Sequence, residues 1–194
     1  MLVLASKSPR RRQILRDAGI AFVVRPADVA EERHPGEPPI HYVRRLAEEK
    51  ALAVPIHAGE VVLGADTVVV IADQVLEKPR DAADAIRMLG LLSGREHQVI
   101  TGICLRSESR KIVDTAATRV RFVALSADEM DSYAASGEPM DKAGGYAIQG
   151  LASKFIDRIE GDYYNVVGLP VALVYRHWKE IARSFDSSTL SEPA

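Results

Sequence analysis

Cysteine is almost absent: Cys104 is the only one in 194 residues. That excludes an internal disulfide framework and suits a reducing compartment. Aromatic residues make up only 6%. Neither sign of charge prevails, since 25 basic and 27 acidic residues leave a formal charge of −2. Such a balance exerts no general pull toward nucleic acid or an anionic membrane. No apolar run approaches the ~20 residues of a membrane span. The start, Met1-Leu-Val-Leu-Ala-Ser6, has no charged segment leading into a long apolar one, so no secretory signal is read there. The expectation is a cytoplasmic protein with no nucleic-acid or membrane partner. No solenoid period is present.

What is present is a 47% hydrophobic chain, enough for one domain with a sizeable core or two small lobes sharing a cleft. Leu2 to Ala5 reads as a buried strand. Ser8 caps a helix opened by Pro9 and stopped by Gly19, by the N-terminal preferences of serine and proline. Strands are expected at Ala21 to Arg25, at Val61 to Ile71 with a turn into a return strand ending at Glu77, and at Gln98 to Arg106, Lys111 to Phe122 and Phe155 to Ile159. Helices are expected from Pro39 to about Val54, from Asp81 to about Leu92, after a Ser126/Glu129 capping box, and from Leu169 to about Ala182. Asp141 to Gly150 reads as a glycine-rich loop, and residues 184–194 as a disordered tail. Strands and helices alternate without strict βα repetition, which argues for a mixed α/β sheet with flanking helices.

Three charges stand where apolar residues belong. On the first helix Arg11 falls on the face of Ile14, Leu15 and Ala18, at the ~100° per residue of a helix. It either points into the interior or a cleft, or snorkels past the helix end. Lys50 shares the stripe of Val43, Leu46 and Ala47, and either snorkels or meets an anion. Asp66 interrupts the apolar strand Val61 to Ile71. An unpaired buried carboxylate costs several kcal/mol, so Asp66 needs a cation, a metal or a functional reason. Gly64 and Ala65 just before it read as room for a ligand to approach the backbone. A hairpin from Asp66 returns Glu77-Lys-Pro79 alongside it, with Lys78 expected nearby. Lysines, arginines and carboxylates converging on one cleft suit a polyphosphate with a divalent metal.

Other motifs fail. Gly145 to Gly150 has P-loop glycine spacing, but Leu151 stands in the lysine position, and the element order is wrong. The histidines are scattered without zinc-ligand spacing, and no Gly-x-Ser-x-Gly occurs. Arg10-Arg-Arg12 beside a helix N-terminus fits a bound triphosphate better than a duplex, since no aromatic platform accompanies it.

Leu4-Ala-Ser-Lys-Ser-Pro-Arg-Arg11, Gly64-Ala-Asp-Thr67, Glu77-Lys-Pro79, Ser93-Gly94 with His97-Gln-Val99, Asp141-Lys-Ala-Gly144, Tyr146-Ala-Ile-Gln-Gly150 and Val167-Gly-Leu-Pro170 resemble, in order, the signatures of Maf proteins. The resemblance spans Leu2 to about Leu173. It implies a metal-dependent nucleoside triphosphate pyrophosphatase in a single catalytic domain, residues 1–183. The implied fold is an elongated mixed β-sheet with flanking helices and two lobes around a central cleft, similar to the inosine-triphosphate pyrophosphatases, and the implied assembly is a homodimer. The family's proton acceptor falls on Asp66 and its metal-associated acid on Glu31. Ala30 stands where an acidic residue is frequent, so Glu32 is the alternative. The phosphate-handling lysines fall on Lys50 and Lys78.

Arg11, Thr67 and Gln149 match a subgroup that prefers dTTP and UTP. An amide both donates and accepts hydrogen bonds, so Gln149 suits the O4/N3 edge of uracil or thymine. The expected mechanism has Ser6, Ser8, Arg10, Arg11, Lys50 and Lys78 on phosphate oxygens. Glu31 and Asp66 hold Mg²⁺ or Mn²⁺, and Asp66 takes a proton from the water that attacks the α-phosphorus. Modified pyrimidine nucleotides are further candidate substrates. The rival readings are a nucleotide sensor in cell division and a pyrophosphatase for modified purine nucleotides.

Overall fold

A computed structural model of the chain describes residues 1–188. Seven strands form one sheet: β1 (Leu2–Leu4), β2 (Phe22–Val24), β3 (Val61–Ile71), β4 (Gln74–Leu76), β5 (Glu96–Arg106), β6 (Lys111–Phe122) and β7 (Ile156–Glu160). Its order is β2-β1-β3-β5-β6-β7, with β4 paired to β3. Among the described residues six α-helices accompany it: α1 (Pro9–Asp17), α2 (Pro39–Leu52), α3 (Ala82–Leu92), α4 (Ala127–Ala135), α5 (Tyr163–Val167) and α6 (Val171–Ser188). Strand β1 runs parallel to both β2 and β3. The β3–β4 and β6–β7 pairs are antiparallel. The fold is therefore mixed α/β, as the irregular alternation of elements predicts.

The chain divides into two compact units. Among the described residues the first comprises 1–66, 102–115 and 168–188, and the second 67–101 and 116–167. In the first, Leu2–Leu4 are fully buried, and Val3 and Ala5 form one apolar cluster with Ala47, Ala51, Val54, Val62 and Cys104. Burial pushes the Cys104 thiol up to about 12. Serine caps α1 as expected: Ser8 Oγ accepts from Arg11 N at 3.4 Å. Two glycines bring α2 onto the strands of this unit. A Cβ on Gly64 would lie 2.1 Å from Ala47 O, and one on Gly102 would lie 2.2 Å from Val43 O. Space that the sequence suggested for a ligand beside Gly64 is thus filled by helix backbone. Ala65, its neighbour, is fully buried.

The second unit packs Val69, Leu89, Leu92, Val120, Phe122, Tyr133, Tyr146 and Phe155 into its own core. Its β3–β4 hairpin turns on Ala72 and Asp73, with φ of 46° and 64°. This left-handed pair matches the twist of the strands at some backbone strain. The Ser126/Glu129 capping box of α4 is formed. Residues 138–155 hold three short 3-10 turns in place of a plain loop.

Differences from the sequence reading are local. Helix α5 is not foreseen, being five residues long with two adjacent tyrosines and a glycine behind it. Helix α6 starts at Val171 and continues to Ser188, past the expected end near Ala182 and into the stretch read as a tail. Residues 189–194, the rest of that expected tail, lie outside the described residues. No helix among the described residues is long and apolar enough to cross a membrane.

Candidate active site

The three misplaced charges meet partners in the first unit. Lys50 Nζ donates to Asp66 Oδ1 at 2.6 Å and to Glu31 Oε1 at 2.5 Å. The Lys50 and Asp66 side chains are 10% and 11% exposed, and Glu31 is 41% exposed. The ammonium therefore links a buried carboxylate to one that reaches solvent. The close approach at Gly64 explains the geometry. Ala47 and Ala51 press on β3, and Lys50, on the same helical stripe, is delivered to Asp66 two residues along the strand. Lys50 does not snorkel; it meets anions.

Burial pushes the Asp66 carboxyl above its ordinary range, opposed by the positive charges of Lys50 and Arg11 and assisted by Glu31. A carboxylate raised in this way is a stronger base than a solvated one. Burial thus disfavours the charge of Asp66, and Lys50 favours it.

Arg11 points inward. Its Nη1 donates to Ala65 O at 2.8 Å and to Ser6 Oγ at 3.3 Å, and its Nε donates to Gly168 O at 2.9 Å. Burial lowers its pKa, against the pull of Asp66 and Glu31. Arg11 thus grips the carbonyl immediately before Asp66, a structural task that the helical pattern does not disclose. Ser6 is buried, and Ser8 and Arg10 are half-buried. Ser6 Oγ also accepts from Ser8 N at 3.2 Å, so Ser6, Ser8 and Arg11 form one connected set at the start of α1.

The segment carrying Glu31 is pinned from α2. Tyr42 Oη donates to Glu31 O at 3.1 Å. Arg45 holds Glu37 through two hydrogen bonds and donates to Glu32 O at 2.9 Å. That pairing draws the Glu37 carboxyl down to about 2. Between the two candidate acids, it is the Glu31 carboxylate that reaches Lys50, while Arg45 takes the Glu32 carbonyl. Tyr42, Arg45 and Glu37 escape the sequence reading. Arg45 and Glu37 look like ordinary surface charges, and Tyr42 looks like core.

Thr67, Lys78 and Gln149 belong to the second unit. Thr67 Oγ1 lies 2.9 Å from Thr101 Oγ1. The β3–β4 ladder ends at Val69 and Leu76, two residues short of exposed Lys78. Gln149 is exposed on a turn in which Gly150 N donates to Ala147 O at 3.0 Å.

The model for Maf-like proteins matches residues 1–181. The chain belongs to the Maf-like family. A Maf-like relative from Koribacter versatilis, named dTTP/UTP pyrophosphatase, is 52% identical over 90% of this chain and 91% of its own. Another of that name, from Anaeromyxobacter dehalogenans, is 54% identical over 88% and 89%. A third, from Exiguobacterium sibiricum, is 50% identical over 90% and 89%. Among solved structures, a HAM1 protein from Coxiella burnetii matches with a TM-score of 0.41 at 20% identity, over 62% of this chain and 72% of that one. That likeness is too loose to carry function.

The Maf-like site offers hard oxygen donors to a metal. Among the described residues no group of three or more His, Cys, Asp or Glu gathers as a metal site. Glu31 and Asp66 are two carboxylates facing one cation, Lys50. Carboxylate oxygens are the donor type that a hard divalent cation takes.

Proposed function

We propose that this chain hydrolyses dTTP and UTP to the monophosphate and pyrophosphate. The observation that carries the reading is the Glu31–Lys50–Asp66 chain of contacts, present in a chain 52% identical to a protein named dTTP/UTP pyrophosphatase. Asp66 accepts a proton from water. The water oxygen bonds to the α-phosphorus, the bridging P–O bond breaks, and pyrophosphate leaves with the electron pair. The raised basicity of Asp66 favours this transfer. Lys50 steadies the carboxylate before the reaction and, with Lys78, offsets charge on the phosphates. Ser6, Ser8, Arg10 and Arg11 take phosphate oxygens at the start of α1, with Arg11 also fixing the chain ahead of Asp66. Glu31 and Asp66 would hold Mg²⁺ or Mn²⁺, which supplies charge neutralisation at the phosphates.

Arg11, Thr67 and Gln149 set the preference for thymine and uracil, with the amide of Gln149 meeting the O4/N3 edge. Modified pyrimidine nucleotides fall within the same chemistry. The reading includes a homodimer and a cytoplasmic setting, the latter suited by one buried, unpaired cysteine.

The test is pyrophosphate release from a panel of nucleoside triphosphates with and without Mg²⁺, using wild type and Asp66→Asn. Loss of the base should cost ~10²–10⁴-fold in turnover, with an unchanged circular dichroism spectrum. Near-normal release by Asp66→Asn, or none from wild type, sinks the reading.

A further inference from the structure

The turn that carries Gln149 is strapped at both ends by two side chains. Tyr133 Oη accepts from Ala147 N at 3.1 Å and donates to Glu138 Oε1 at 2.8 Å. The other oxygen, Glu138 Oε2, accepts from Leu151 N at 3.1 Å. Gln149 lies midway, two residues after one anchored amide and two before the other. The strap is tight: a Cβ on Gly150 would lie 2.1 Å from Glu138 Oε2. Burial and the adjacent carboxylate push the Tyr133 hydroxyl up, so it keeps its proton and can donate. Tyr133 itself is 3% exposed in the core, with its ring edge-on to Phe155. The turn's preceding residue is fixed as well, since the Tyr146 hydroxyl lies 2.8 Å from His97 Nε2.

A carboxylate is a strong acceptor for backbone amides, and here it is spent on a surface turn with an exposed glutamine at its tip. A glutamine amide sits on three rotatable bonds. It reads a base edge only if its backbone is held to a fraction of an ångström. We infer that Tyr133 and Glu138 are positioning residues for base selection, holding the 147–151 turn so that Gln149 presents its amide to the pyrimidine. This rests on the reading that Gln149 meets the base.

The experiment measures kcat and KM for UTP and CTP on the full chain, for wild type, Tyr133→Phe, Glu138→Gln, Gln149→Ala and the Tyr133→Phe/Gln149→Ala double variant. Tyr133→Phe keeps the packed ring and removes only the bridging hydroxyl, and Glu138→Gln keeps one acceptor oxygen. The preference for UTP over CTP should fall about fivefold or more in Tyr133→Phe, through KM for UTP rather than kcat. In the Gln149→Ala background the same change should add nothing, because coupled residues are not additive. A preference within about twofold of wild type in both strap variants, while Gln149→Ala collapses it, overturns the inference alone. A fully additive double variant does the same. An unchanged preference in Gln149→Ala itself removes the base-reading role and the inference with it.

Discussion

Lys50 Nζ stands 2.6 Å from Asp66 Oδ1, with both side chains about nine-tenths buried. The pair is asymmetric in its consequences. Breaking a buried ion pair from one side leaves an uncompensated charge, at about 3–5 kcal/mol. In Lys50→Met, burial would act on Asp66 with only Arg11 to oppose it. Its carboxyl should then rise further above the ordinary range. Where Asp66 must be ionised to accept a proton, the acid limb of the pH–kcat profile should move to higher pH. Turnover at neutral pH should fall, and urea unfolding should show a loss of the size given above. An acid limb that stays in place would mean that Lys50 does not govern the ionisation of Asp66.

Gly64 makes a second prediction, about packing. Its Cβ would collide with backbone, 2.1 Å from Ala47 O and 2.7 Å from Ala51 N, and backbone in a helix cannot swing aside. Gly64→Ala should therefore destabilise by about 3 kcal/mol or more, the upper range of overpacking, and should reduce activity by displacing Lys50. Gly90, inside α3 with nothing within 4 Å of a Cβ, is the internal control. Gly90→Ala should stabilise by about 1 kcal/mol, the helix-propensity difference. Paired urea melts measure both; a Gly64→Ala protein as stable as wild type contradicts the close approach.

His97 predicts a pH dependence of stability in the second unit. It is 2% exposed, and burial lowers its pKa from 6.5 to about 4. Between those values the unfolded chain binds a proton that the folded chain refuses. The contribution is fully present above pH 6.5 and is lost as pH falls toward 4, amounting to about 3 kcal/mol. Melting temperatures of wild type and His97→Gln, followed from pH 7 to 4.5, should converge or cross as the wild type loses this share. Parallel curves would show that His97 does not resist protonation.

Much of the fold is legible in local pattern. The apolar run at β3, the capping box at α4 and the prolines opening α1 and α2 each carry their signal within a few residues. The charges of the candidate site are also legible, because Arg11, Lys50 and Asp66 break an otherwise apolar periodicity. Their partners are not. Lys50 and Asp66 are 16 residues apart, and Arg11 finds acceptors at Ala65 and Gly168, 54 and 157 residues away. No periodicity reports such distances. Gly64 is ambiguous for the same reason, since a glycine that admits a helix and one that admits a ligand look alike in sequence. Helix α5 is too short to develop a periodic signal. The Tyr133–Glu138 strap is invisible because what its side chains hold in the turn are backbone amides, Ala147 N and Leu151 N, which leave no mark in the sequence.

The single cysteine gives this chain a built-in clock. Cys104 is fully buried in the first unit's core, with its thiol pushed up to about 12. At neutral pH it is both shielded and protonated, so a thiol reagent meets a reactive sulfur only when that core opens. Labelling therefore times the opening of the core that Ala47 and Ala51 of α2 share with Cys104, with no engineered probe and no second thiol to blur the signal.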